Sequence, residues 1–222
     1  MGMHVDSKSR ILYFGTPVVL ISTIGDDGRP NLAPMSSAWW LGWRCVLGLA
    51  AHSKTTENLR RTGECVLNLP SADQVACVDR IARTTGSDPV PDGKRSRGYV
   101  HEPEKFVRAG LTPIPSQAVA PPRAAECPIQ LEARVSALHA LAADDERVGG
   151  FALTIEVAVE RLHVDEAVLL DGDADRIDPD KWRPLIMSFQ QFYGLEPERL
   201  HPSRLGEIPE RLYPRAGAGS PR

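Results

Sequence analysis

Pro17-Val18-Val19-Leu20-Ile21-Ser22-Thr23-Ile24, followed at once by Gly25-Asp26-Asp27-Gly28-Arg29-Pro30, is the stretch that decides the fold. A β-branched, apolar run closed by glycine, aspartate and proline reads as a strand that ends in a tight turn. Asn31 through Trp40 then reads as the return arm of a hairpin. After Gly42 a third strand, Arg44-Cys45-Val46-Leu47-Gly48-Leu49-Ala50, continues the meander. Three consecutive strands with short turns predict an antiparallel sheet.

Working outward, Lys54 to Thr62 reads as a short helix, opened by Ser53 as its cap and stopped by Gly63. Glu64 to Leu69 is another strand. Ser71 caps a second helix, whose apolar positions Val75, Val78, Ile81 and Ala82 recur at helical spacing. Thr84 to Gly98, rich in glycine, proline, serine and charge, is expected to be a surface loop with no core of its own. Between Leu111 and Pro128, prolines at 113, 115, 121, 122 and 128 prevent regular pairing and predict an extended strap across the barrel. Ile129 to Val135 and Phe151 to Val164 alternate apolar and polar residues around a charged, glycine-containing turn, and predict a second hairpin. Pro179 to Tyr193 is expected to be helical in part. Pro214 to Arg222 is a glycine- and proline-rich tail with nothing to bury. The expected organisation is an N-terminal extension over 1–10, one domain over 11–195, and a C-terminal extension over 196–222 that ends in a disordered tail.

Composition removes several function classes. A net charge of −3 with both signs interspersed lacks the basic footprint of a nucleic-acid binder. No apolar run approaches the roughly 18 residues of a membrane span, and the polar start Met1-Gly2-Met3-His4 has no secretion-signal character. A cytoplasmic protein is expected. Cys45, Cys65, Cys77 and Cys127 contain no C-x-x-C pair and read as buried structural thiols. Asp171-Gly172-Asp173-Ala174-Asp175 opens like a calcium loop, but Arg176 and Trp182 stand where glycine and glutamate are needed, so calcium is rejected. His163 and Asp165 share a strand face and read as a strand-end polar pair. Trp39, Trp40 and Trp43 cluster at one turn and suit core or dimer packing, or contact with a flat ligand.

One constellation points to a ligand. His52-Ser53-Lys54-Thr55-Thr56-Glu57-Asn58 follows a strand and opens a helix, where free N–H groups and the helix dipole converge. With an ammonium and hydroxyls added, that point suits a phosphate; a well-capped surface helix is the alternative. Upstream, Asn31 to Trp40 carries small and hydroxylic residues where a purely structural strand would be bulky, which lets a flat ligand approach the backbone. His52 adjoins the turn as a hydrogen-bonding candidate, or as a plain surface residue.

These segments resemble the flavin reductase-like proteins of the FMN-binding split barrel. The resemblance runs through Pro17 to Thr23, Asn31 to Ser37, Ser53-Lys54-Thr55-Thr56-Glu57-Asn58-Leu59, Gly63 to Pro70 and Glu126 to Glu132, in the family's order. It implies a mainly β, α+β fold: an antiparallel six-stranded split barrel with flanking helices. It further implies that Met35, Ser36, Ser37 and Ala38 line the isoalloxazine and ribityl chain of FMN. Ser53, Lys54, Thr55 and Thr56 would take the phosphate, Asn58 would brace the turn, and Tyr193 would return toward the flavin. A homodimer with flavin near the interface is implied as well. The expected activity is hydride transfer from NADH or NADPH to FMN, with electrons passed to free flavin, a partner monooxygenase or another acceptor. No side chain is assigned as a catalyst, because the flavin carries the chemistry. An FMN-binding electron carrier or sensor without its own nicotinamide site is the alternative.

Overall fold

Residues 2–213 are described by the computed structural model, so the tail read from Pro214 onward lies outside the described residues. Val18 to Thr23 is buried without interruption, and the sheet shows why. Strand β1 (Val19–Ile24) turns its odd residues Val19 and Ile21 into the barrel interior. Val18 and Leu20 face an outer cluster built from Val78, Ile81, Phe106, Ala109 and Leu111. A strand covered on both faces needs an unbroken apolar run, which is the pattern that marks it in the sequence.

β2 (Pro30–Met35) returns antiparallel to β1, Val19 opposite Met35 and Ile24 opposite Pro30. β3 (Ala38–Leu41) and β4 (Arg44–Ala50) form the next hairpin, with Trp40 opposite Cys45. Helix α1 spans Lys54–Thr62. Gly63 ends it in the left-handed conformation, φ 69°, and donates its N–H to Leu59 O, a geometry that favours glycine. β5 (Glu64–Leu69) follows. After it comes a 3₁₀ turn, Ala72–Gln74, with a Ser71–Gln74 capping box, and then α2 (Val75–Asp79). Short helices α3 (Asp92–Arg95) and α4 (Lys105–Ala109) precede the long hairpin of β6 (Ile129–Ala140) and β7 (Ala152–Val164).

The main sheet runs β2-β1-β5-β6-β7-β4-β3, antiparallel throughout. Its two edges, β2 and β3, are consecutive in the chain and separated only by Ser36 and Ser37. Met35 and Ala38 can be no more than about 11 Å apart, so the sheet curls to bring these two strand ends together, while no ladder joins β2 to β3 among the described residues. The expected single return arm, Asn31 through Trp40, is therefore corrected: it breaks at Ser36-Ser37 and changes edge. Counted as one interrupted strand, β2 and β3 bring the total to the six strands of the split barrel. Inside lie Cys45, Leu47, Leu49, Cys65, Leu67, Ile155 and Val157, each at most 1% exposed.

Several local expectations change. Pro179 to Tyr193 forms no helix; β8 (Ile186–Ser188) and β9 (Gln191–Tyr193) make a hairpin, and β8 pairs with Thr16-Pro17. Its two-residue turn holds Phe189 and Gln190 at φ 46° and 65°, and packing of Met187 and Phe192 onto the outer cluster decides the conformation over local propensity. Thr84 and Thr85 are buried and pair in parallel with Val100 and His101, so the start of the expected surface loop belongs to the interior. His163 does not pair with Asp165. Its Nε2 lies 2.7 Å from Glu132 Oε1, while Asp165 caps Ala167 N.

The proline-rich segment is a strap, though not free of pairing as expected: Pro113-Ile114 pairs antiparallel with Arg123-Ala124, and buried polar side chains of the barrel wall hold it. Asn68 Nδ2 donates to Leu20 O and its Oδ1 accepts from Ala124 N. Gln130 Nε2 donates to the carbonyls of Ala124 and Cys127. Glu132 accepts the N–H groups of Gln117 and Ala118. Burial pushes the Glu132 carboxyl up, but these N–H groups and His163 together hold it below the usual carboxylate range.

Candidate functional site at the start of helix α1

Ser53 caps α1 by accepting the N–H of Thr56 at 3.1 Å, and Thr56 Oγ1 donates to Ala50 O at 2.8 Å. That commits the Thr56 proton, so across the 3.0 Å Ser53–Thr56 contact the Ser53 hydroxyl donates. These two side chains shape the turn. The N–H groups of Lys54 and Thr55 keep no partner among the described residues, and they lie at the positive end of the helix dipole. A phosphate requires such donors.

The other expected residues are placed differently. Thr55 and Asn58 are buried beneath the turn. Asn58 Nδ2 donates to Thr23 Oγ1 at 2.9 Å, and Asn31 Nδ2 reaches Thr55 Oγ1 at 3.4 Å. Met35, Ser36, Ser37 and Ala38 form the crossing between the sheet edges: Ala38 is buried, Met35 and Ser36 half-buried, and Ser37 exposed. Gly48 donates its N–H to Ser37 O at 2.7 Å, and a Cβ on Gly48 would stand 3.0 Å from Ser37 Cβ, so the crossing lies flat on a strand that lacks a side chain there. His52 is exposed beside the turn. Tyr193, 56% exposed on β9 of a separate small sheet, shares no hydrogen bond with the turn.

Lys54 is held differently from a free phosphate-binding lysine. Its Nζ lies 2.8 Å from both Asp26 and Glu57. The Asp26 carboxylate first, and Glu57 second, hold the ammonium above its ordinary pKa. Its backbone N–H, not its side chain, is what the turn leaves open.

Residues that the sequence did not single out complete the surroundings. A cavity of about 50 Å³ beside the turn is lined by Asn31, Lys54, Gly86 and His101. Asn31 Oδ1 and Asn58 Oδ1 are buried with no partner among the described residues. A Cβ on Gly86 would come within 2.6 Å of Asn31 Oδ1 and 3.2 Å of Lys54 Cγ, so only glycine allows the chain to pass this close. Open donors at the helix start and an orphaned acceptor next to them fit a ligand with a phosphate at one end and hydroxyls behind it. Nothing in the polar run Glu102-Pro103-Glu104-Lys105 signals that Lys105 is buried there.

A curled antiparallel sheet whose two edges come from one strand interrupted at Ser36-Ser37, together with an anion-ready helix start, defines the split-barrel class. A flavin reductase like domain profile matches residues 11–196. The chain belongs to the flavin reductase-like family. It is 39% identical over 188 residues to the uncharacterized protein YdfE of Bacillus subtilis strain 168, covering 85% of this chain and 87% of that one. Among solved structures, flavoredoxin of Desulfovibrio vulgaris (Miyazaki F) superposes with a TM-score of 0.72 at 22% identity, covering 93% of this chain and all of that one. Nitrilotriacetate monooxygenase component B from Bacillus cereus superposes with a TM-score of 0.67 at 20% identity, covering 86% and 88%. Among the described residues, no helix is long and apolar enough to cross a membrane.

Proposed function

We propose that this flavin reductase-like protein binds FMN and takes hydride from NADH or NADPH. The observation that carries the reading is the start of α1, where Lys54 and Thr55 present unpartnered N–H groups at the positive end of the helix dipole. When bound, the flavin supplies the redox chemistry, accepting a hydride equivalent and releasing electrons to an acceptor. The chain supplies position. Ser53 and Thr56 fix the turn so that two N–H groups hold the phosphate, and Asn31 offers its orphaned oxygen to a ribityl hydroxyl. The Met35–Ala38 crossing, flat against Gly48, supports the ring, with His52 and Tyr193 reaching in from the rim.

A homodimer completes the pocket. Edge strand β3 leaves Trp39 56% and Leu41 75% exposed, an apolar strip on an unpaired edge that a second copy would cover. The electron acceptor is free flavin or a partner protein. A partner monooxygenase is supported by the fold shared with a protein named as a monooxygenase component.

The visible spectrum of the purified protein tests the cofactor, and anaerobic mixing with NADH or NADPH tests the reaction. Flavin absorbance that bleaches within seconds is expected. If dithionite bleaches it but neither nicotinamide does so over minutes, the protein is an electron carrier or sensor. A colourless chain that takes up no added FMN would overturn the flavin reading itself.

A further inference from the structure

Three of the four cysteines match the expectation of buried thiols, but Cys77 on α2 is only half-buried. Cys45 and Cys65 are sealed inside the barrel, and burial pushes the Cys45 thiol up to about 12. Cys77 and Cys127 lie outside it, in the outer cluster between α2 and the end of the strap. Gln74, three positions before Cys77, donates Nε2 to Glu126 O at 2.6 Å, which ties that turn of chain to the neighbour of Cys127. The two sulfurs are close enough for their charges to interact: burial first, then Glu126 and Cys77, push the Cys127 thiol up to about 12. On the other side of Cys77, Arg80 donates to Sγ at 3.3 Å and is fixed there by its bonds to Ala109 O. A guanidinium in contact with sulfur is a counter-charge for the thiolate, the form of cysteine that attacks electrophiles. The pair is therefore unequal: one thiol is reachable and stands beside a cation, and the other is buried and protonated.

We propose that Cys77 and Cys127 form a reversible oxidation site for a hydroperoxide, with Cys77 reacting first and Cys127 resolving it into a disulfide. The Cys77 thiolate attacks one peroxide oxygen, the O–O bond breaks, and hydroxide leaves and is protonated to water, so that Cys77 becomes a sulfenic acid. The Cys127 sulfur then attacks the Cys77 sulfur. An S–S bond forms, the S–O bond breaks, and the hydroxyl departs as water with the Cys127 proton. In sum, two thiols lose two electrons and two protons, and one hydrogen peroxide becomes two waters. A dithiol reductant reverses the bond by exchange. Burial shields Cys127 from direct attack and leaves it to meet only the sulfur beside it. The bond would staple α2 to the strap just ahead of β6, at the half-buried margin of the outer cluster. Hydrogen peroxide is what dioxygen makes from reduced flavin, yet the chemistry of the pair needs no flavin, so its test stands apart from the flavin reading.

Full-length protein is reduced, exposed to hydrogen peroxide, and followed by thiol count after denaturation, intact mass and non-reducing peptide mapping. Two of the four thiols should disappear, the chain should lose the mass of two hydrogens, and the cross-link should join the Cys77 and Cys127 peptides. Dithiothreitol should restore both thiols. In Cys127→Ala, dimedone should trap a sulfenic acid at Cys77, and Cys77→Ala should keep all its remaining thiols. Arg80→Gln should slow thiol loss severalfold while Arg80→Lys preserves the rate, a difference that mere proximity of two cysteines would not produce. Native protein that keeps all four thiols under peroxide overturns the proposal, whether or not the variants fold. A disulfide between two chains, or oxidised Cys77 with Cys127 still free in the native protein, overturns the pairing.

Discussion

At the level of single residues, the turn at the start of α1 divides labour between side chains that build it and backbone groups left open. Lys54 belongs to the builders, because its ammonium is already shared by Asp26 and Glu57. These pairs are largely solvent-facing on the acid side and add little to stability. Lys54→Ala should barely move the thermal midpoint and weaken FMN by less than about tenfold, as thermal melts and FMN titrations would show. A larger loss in Lys54→Ala would mean that the ammonium leaves its carboxylates for the ligand. Lys105 also sets a sign for the ligand-free protein. Its folded pKa, about 7, lies below its ordinary 10.5, so between those values the unfolded chain binds more protons and stability rises with pH. Urea midpoints measured from pH 7 to 10 should climb in the native sequence and flatten in Lys105→Met. The helix start could be read from Ser53, Lys54 and Gly63 because capping chemistry is local. Lys105 could not, since its burial is imposed by α4 packing on the outer cluster through Phe106 and Ala109.

Among the elements, the proline-rich strap shows how polar residues of a barrel strand can hold a segment whose only ladder is a short one with itself, Pro113-Ile114 against Arg123-Ala124. Glu132 is the strongest of these anchors, since its carboxylate accepts N–H groups from Gln117 and Ala118 and faces His163. Its folded pKa is depressed, so its contribution is complete above the ordinary 4.5 and is lost as pH falls through the lower folded value. Protection factors of the amides across 115–120 should therefore fall selectively as pH drops below the ordinary 4.5 in the native sequence. Glu132→Gln should show the low protection already at neutral pH, and strap protection that ignores pH would refute the role. The strap itself was legible because closely spaced prolines exclude helix and break up long ladders, leaving only the short pairing of Pro113-Ile114 with Arg123-Ala124. The β8–β9 hairpin was not: its turn puts Phe189 and Gln190 at positive φ without glycine or asparagine, and tertiary packing of Met187 and Phe192 compensates.

For the whole molecule, the sheet order could be reached from sequence only as far as its hairpins. Alternation revealed β6 and β7, but nothing in Asn31 to Trp40 announces that one arm supplies both edges, because Ser36 and Ser37 are ordinary strand-compatible residues. The exposed strip at Trp39 and Leu41 leads to a prediction at this scale: sedimentation at micromolar concentration should give twice the mass of one chain, and Trp39→Lys should shift it toward monomer. A native monomer that still holds FMN at full occupancy would exclude a second subunit from the pocket. The passage from β2 to β3 also acts as the clasp of the ring, and a clasp tolerates no slack. Adding one residue between Ser36 and Ser37 would turn every side chain of one flanking strand to the wrong face, whereas the tip between Ala140 and Ala152 has room to lengthen. An insertion map of this chain should thus show its most intolerant point not in the apolar interior but at two small, solvent-touching serines.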